Sequence, residues 1–142
     1  MKLPDIAFGV IIIVVFVVQR TLADDIDDIR HFECLKQSEI SPDVYDDMMD
    51  KLIADETDDM DQRFKCYTHC MLEKGGRLNE NGKLDLTKFE DYHMSERDME
   101  AMEKCKSDND DIADSCEYSF ALTVCYMQAI IANHEGTEEI NE

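Results

Sequence analysis

MDQRFKCYTHCMLEKGG, residues 60–76, decides how the rest of the chain is read. Phe64, Tyr67, Cys70 and Met71 recur at three- and four-residue steps, the spacing that lines one face of an α-helix. Gly75-Gly76 then offers a position where a left-handed cap costs little, so the segment predicts a helix from about Met60 to Lys74. Cys66 and Cys70 stand at i and i+4, side by side and tilted the same way. They reach two different partner helices more readily than they reach each other.

Helical spacing continues on both sides. Upstream, Ile26, Ile29, Phe32 and Leu35 step by three from about Asp25 to Ser38, with Cys34 near the stripe and Asp25, Asp27 and Asp28 suited to the positive N-terminal end. Ser41-Pro42 reads as an N-cap followed by proline at the first helical position. Val44, Met48, Met49, Leu52 and Ile53 then form one buried face, which fades between Asp55 and Asp59. Downstream, a short helix is predicted from Leu86 to about His93, presenting Phe89 and Tyr92, and another starts at the Ser95 cap with Met99, Met102 and Cys105. After a polar break at Ser107–Asp111, the residues Ile112, Cys116, Phe120, Thr123, Met127 and Ile131 mark a long last helix ending before Gly136. No sustained period-two alternation competes with this, so the chain is expected to be all-α, a compact bundle of about six helices.

Thirty-four Asp plus Glu against 14 Lys plus Arg give 142 residues a formal charge of −20 and a pI near 4.3. That balance argues against nucleic acid as a partner, because phosphate binding relies on clustered cations. An anionic membrane surface is disfavoured for the same reason. A hydrophobic share of 44%, with 9 Met, 6 Phe and 5 Tyr, is enough for a core, and the length suits one domain. The first 23 residues stand apart: Met1-Lys2, an apolar run from Ile6 to Val18, then Thr21-Leu22-Ala23. The run covers about 20 Å at helical rise, short of a bilayer core, so it predicts a signal peptide with no stable membrane insertion. Removing residues 1–23 takes away Lys2, Arg20 and Asp5 and leaves residues 24–142 one charge more negative. The expected product is secreted and extracellular, where six cysteines form disulfides in preference to binding metal.

Successive cysteines are separated by 31, 3, 34, 10 and 8 residues. Cys116 and Cys125, nine positions apart, fall on opposite faces of one helix and cannot pair without breaking it. With that pair and Cys66–Cys70 set aside, about ten of the fifteen conceivable pairings remain open. An apolar leader, an acidic helical chain and six cysteines with three residues inside the second interval and eight inside the last resemble the insect odorant-binding proteins, from Asp25 to about Ala132. The resemblance implies interlocked pairs Cys34–Cys70, Cys66–Cys116 and Cys105–Cys125, and helices held around a hydrophobic cavity. It further implies a carrier of small hydrophobic ligands (odorants, pheromones or similar compounds) with no cofactor, no metal and no enzymatic chemistry, and a membrane chemoreceptor as a further partner. The large negative charge opposes self-association, which suits a monomer or weak homodimer. Methionine re-packs around varied ligands and aromatic rings offer flat walls. Met49, Leu52, Ile53, Phe64, Tyr67, Met71, Phe89, Met99, Met102, Phe120, Val124 and Met127 are therefore the expected ligand contacts. The same acidic composition also fits a secreted interaction protein with a fully packed core and no pocket.

The 17 residues after Cys125, Tyr126–Glu142, include Ile130, Ile131, His134 and several glutamates, with residues 133–142 as an acidic tail; the stretch fits either a cover over one entrance at neutral pH, released by protonation of carboxylates or of His134, or a frayed, solvated end. Other signals dissolve on inspection. Asn79–Glu90 resembles a calcium loop, but Lys83 occupies a ligand position and Leu84 the position that needs glycine. Asp108–Asp111 lacks the same glycine, and Cys66-Tyr67-Thr68-His69-Cys70 has the wrong order for haem attachment. His31, His69, His93 and His134 are scattered, with no legible nucleophile–base motif around them.

Overall fold

The structure is a computed structural model that describes residues 5–138. Five helices and one 3₁₀ turn follow in order: α1 (Asp5–Gln37), α2 (Pro42–Ile53), α3 (Gln62–Lys74), the 3₁₀ turn Leu86–Phe89, α4 (Glu96–Asn109) and α5 (Ser115–Glu138). Among the described residues the sole β contact is an antiparallel bridge between Leu78 and Leu84. No helix there is long and apolar enough to cross a membrane. The chain divides into two compact units, one ending at Glu33 and one beginning at Cys34.

The first helix differs from the expected Asp25–Ser38. It starts at Asp5 and is continuous to Gln37, because neither proline nor glycine interrupts the chain between Val10 and Gln37. Ile26, Ile29 and Phe32 are exposed, Phe32 at 63%, and only Cys34 and Leu35 of the stripe and its neighbour are buried. Both belong to the second unit. The expected signal peptide lies mostly within this helix, and Met1–Pro4 fall outside the described residues.

In the second unit α5 is the central element. α3 packs most extensively along it, then α4, then the end of α2. α2 begins at Pro42 after Ser41, as the Ser-Pro pair predicts. α3 ends in a Schellman cap: the Arg77 N–H donates to the Leu72 carbonyl and the Gly76 N–H to that of Glu73, each at 3.0 Å, with Gly76 at φ +67. The helix expected over Leu86–His93 is only the turn Leu86–Phe89. The Asp85 carboxylate caps its start at the Thr87 N–H, and Arg77, from the loop after α3, claims the Lys88 carbonyl at 2.8 Å and so takes an acceptor that a longer helix would use. α4 starts at the Ser95 cap, whose hydroxyl accepts from the Asp98 N–H at 3.1 Å. It runs through the expected break at Ser107 to Asn109, its last turns supported by ion pairs Lys104–Asp108 and Lys106–Asp110 at i,i+4. α5 begins three residues beyond Ile112, where the Asp114 carboxylate accepts from the Glu117 N–H at 2.9 Å, and it continues past Gly136. Residues 126–138 therefore extend α5 and do not fold back as a tail; residues 139–142 lie outside the described residues.

Three disulfides join these elements: Cys34–Cys70 ties the end of α1 to α3, Cys66–Cys116 ties α3 to α5, and Cys105–Cys125 ties α4 to α5. Cys66 and Cys70 thus reach two different helices from one face of α3, and the two cysteines of α5 serve opposite faces. Each bridge contributes about 2–4 kcal/mol by constraining the unfolded chain.

Candidate ligand cavity

Two buried clusters meet at α5. The first gathers Cys34, Leu35, Ile40, Met48, Leu52, Met60, Phe64, Tyr67, Cys70 and Phe120. The second gathers Leu84, Met102, Cys105, Tyr118 and Leu122. A cavity of about 210 Å³, open to solvent on one side, lies at the first cluster and is lined by Tyr45, Met49, Leu52, Phe64, Tyr67, Thr68, Met71, Leu72, Thr123 and Met127. Each position follows from helical register. Tyr45, Met49 and Leu52 are successive steps on α2; Phe64, Tyr67, Thr68, Met71 and Leu72 are the i, i+3, i+4, i+7, i+8 stripe of α3; Thr123 and Met127 are i, i+4 on α5.

Aromatic rings form the wall. Phe64 and Tyr67 stack at 5.8 Å between centroids, Tyr45 meets Tyr67 edge-on at 5.2 Å, and Phe120 backs Phe64 edge-on at 6.2 Å. Burial pushes the Tyr67 hydroxyl up from its ordinary acidity, and a side-chain hydrogen bond with Tyr45 adds to the shift. Phe64 is 1% exposed and Tyr67 5%, so these rings are fixed by packing while the methionines at 49, 71 and 127 are only half-buried. The Thr68 hydroxyl donates to the Lys65 carbonyl at 2.6 Å and that of Thr123 to the Ser119 carbonyl at 2.8 Å. The Gln128 amide reaches the Leu52 carbonyl at 3.5 Å, linking α5 to the end of α2.

Six of the expected ligand contacts come together here: Met49, Leu52, Phe64, Tyr67, Met71 and Met127. Phe120 and Val124 belong to the same cluster without lining the cavity. Ile53 is 55% exposed, Phe89 and Met102 belong to the second cluster, and Met99 is half-buried outside both. The structure does not bring these four to the cavity. Sequence reasoning passed over Tyr45, Thr68, Leu72 and Thr123, although each sits three to five positions from a residue that was chosen.

Elsewhere, His69 is held between α5 and its own helix, with Nδ1 at 3.1 Å from the Ser119 hydroxyl and Nε2 at 3.2 Å from the Glu73 carboxylate. Ser119 is fully buried, which removes it from any substrate. In the calcium-like loop the Asn79 side-chain oxygen accepts from the N–H groups of Asn81 and Lys83, so it serves the turn. Among the described residues no group of His, Cys, Asp and Glu is arranged to hold a metal ion.

The PBP/GOBP family profile matches residues 19–129. The chain belongs to the PBP/GOBP family, the insect odorant-binding proteins. As a family member it is 33% identical over 109 residues to general odorant-binding protein 57c of Drosophila melanogaster, covering 75% of this chain and 73% of that protein. Its fold is similar to the crystal structure of the medfly odorant-binding protein CcapOBP22/CcapOBP69a, with a TM-score of 0.57 at 23% identity over 72% of this chain and 86% of that one. It is also similar to the fatty acid binding protein OBP56a from the oral disk of the blowfly Phormia regina, with a TM-score of 0.53 at 26% identity over 75% of this chain and 90% of that one. The family matched is one of carriers rather than enzymes.

Proposed function

We propose that this PBP/GOBP family member is a secreted carrier that reversibly holds a small hydrophobic compound in the cavity between α2, α3 and α5. Residues 1–23 act as the signal peptide and residues 24–142 as the carrier domain. The observation that carries this reading is the cavity itself, about 210 Å³ walled by rigid rings and adaptable thioethers. Around it, three disulfides hold the helices in place, so the hollow need not collapse when empty. The blowfly neighbour, named as a fatty acid binding protein, supports an apolar cargo. Odorants, pheromones or similar compounds are the ligands, and a membrane chemoreceptor is the downstream recipient.

The test is displacement of a fluorescent apolar probe from the oxidised protein beginning at Asp24. Saturable, micromolar displacement by part of a panel of volatile and fatty compounds is expected. A folded, three-disulfide protein that takes up no probe would overturn the reading in favour of an acidic interaction module with a packed core.

A further inference from the structure

We infer that the Cys66–Cys116 bridge is a thiol-exchange site: a low-molecular-weight thiol opens it in the folded protein while the other two bridges stay closed, and opening it loosens the cavity. The place of modification stands by itself, whereas its effect on cargo rests on the carrier reading above. Access separates the three bridges. Cys34 and Cys70 are 0% and 3% exposed, and Cys105 is 2% exposed. Cys66–Cys116 is the bridge in which both residues are half-buried. Both also line a surface depression of about 420 Å³ bounded by Gln37, Ser38, Glu39, Gln62, Arg63 and His69. Exchange requires a thiolate to reach a disulfide sulfur directly, so access decides which bridge reacts first. The thiolate attacks one sulfur of the pair, the S–S bond breaks, and the other cysteine leaves as a thiolate. A second thiol resolves the mixed disulfide, so two reagent thiols are oxidised to their disulfide and Cys66 and Cys116 are reduced.

The fold makes this bridge the central link. Cys34–Cys70 joins the end of α1 to α3 and Cys105–Cys125 joins α4 to α5, so Cys66–Cys116 is the covalent tie between those two pairs. α3 and α5 also supply most of the cavity wall. Cys66 lies in α3 between Phe64 and Tyr67, the stacked rings of that wall, so a shift at the bridge reaches them directly. With the bridge open, the Lys65–Glu117 ion pair at 3.0 Å and the contact of His69 Nδ1 with the Ser119 hydroxyl at 3.1 Å still join the two helices beside it. Phe64 and Phe120 still meet edge-on across the same seam. The fold therefore persists while the covalent limit on the separation of α3 and α5 is gone.

The test incubates the oxidised protein with reduced glutathione at neutral pH, traps free thiols with iodoacetamide and maps the modified cysteines by mass spectrometry, while circular dichroism follows the fold. The first product is expected to carry glutathione or alkyl groups at Cys66 and Cys116 alone, with helicity retained. Modification of Cys34, Cys70, Cys105 or Cys125 at the same rate would overturn the site, as would loss of helicity in step with modification or no reaction short of unfolding. The double variant Cys66→Ser, Cys116→Ser, which lacks the bridge whatever the reagent, gives the second readout. Its affinity for an apolar probe is expected to fall by about tenfold with its helicity unchanged. Equal affinity would overturn the loosening of the cavity. Should that variant not fold, the wild-type protein alkylated at Cys66 and Cys116 supplies the same comparison. Absence of probe uptake by the oxidised wild-type protein would instead remove the carrier reading, and with it the effect on cargo, while the mapped site would stand.

Discussion

The two clusters flanking α5 are built on different physics. In the first, Phe64, Tyr67, Leu52 and Met48 meet through ring faces and aliphatic contacts, and the polar groups beside the cavity are tied to their own helices or to one another. In the second, directional bonds across the chain hold a loop in place. The Tyr118 hydroxyl accepts from the Leu84 N–H at 3.0 Å, and the Lys83 ammonium lies 4.1 Å over the Tyr118 ring while donating to the Ile112 carbonyl at 2.6 Å. The Arg77 guanidinium faces both Phe89 and Tyr92, at 4.8 and 4.2 Å from their centroids. Non-directional packing tolerates small rearrangements, whereas a set of long-range hydrogen bonds holds one geometry. The cavity lies in the half that can re-pack, and the bonded half serves as its frame.

The largest expected effect comes from emptying the first cluster. Phe64→Ala should lower stability by about 3–5 kcal/mol, read by chemical denaturation, and should abolish probe uptake because the cavity wall is gone. Next, replacing Cys105 and Cys125 together with serine should cost about 2–4 kcal/mol. Probe affinity at a temperature where the variant remains folded should change little; a large loss would show that the frame shapes the cavity directly. Tyr118→Phe leaves the buried Leu84 N–H without its acceptor and should cost about 1–3 kcal/mol, again sparing ligand affinity. Equal loss of affinity in Tyr118→Phe and Phe64→Ala would erase the distinction between the halves.

The smallest effect is a pH dependence. Burial raises the pKa of Tyr67, Tyr118 and Tyr126 above the ordinary 10.0. These phenols stay protonated in the folded chain where the unfolded chain has begun to lose its protons. Their contribution is therefore complete below pH 10 and declines as pH rises beyond it toward the raised values. Denaturation midpoints should hold steady up to about pH 9 and fall at pH 11, and Tyr67→Phe should make that fall shallower.

Much of the second unit was legible because its signals are local. Ser41-Pro42, Gly75-Gly76 and Ser95 each mark a helix end through chemistry contained within a few residues. The stripe Phe64–Tyr67–Met71 identified the buried face of α3 for the same reason. Boundaries failed where distant groups intervened: Arg77, from the loop after α3, takes the Lys88 carbonyl and limits the predicted helix after Leu86 to one turn.

The ligand contacts divided along the same line. Periodicity selects faces, and Met49, Leu52, Phe64, Tyr67, Met71 and Met127 share one cavity because α2, α3 and α5 turn their faces to a common point. Phe89 and Met102 have equally apolar faces but turn them toward Tyr118. By itself the sequence determined the helical class, the acidic surface and the constraint that Cys66 and Cys70 serve separate helices, all consequences of composition and of 3.6-residue geometry. Which apolar residues enclose empty space was decided only in three dimensions, because a cavity is the volume that several distant segments together leave unfilled.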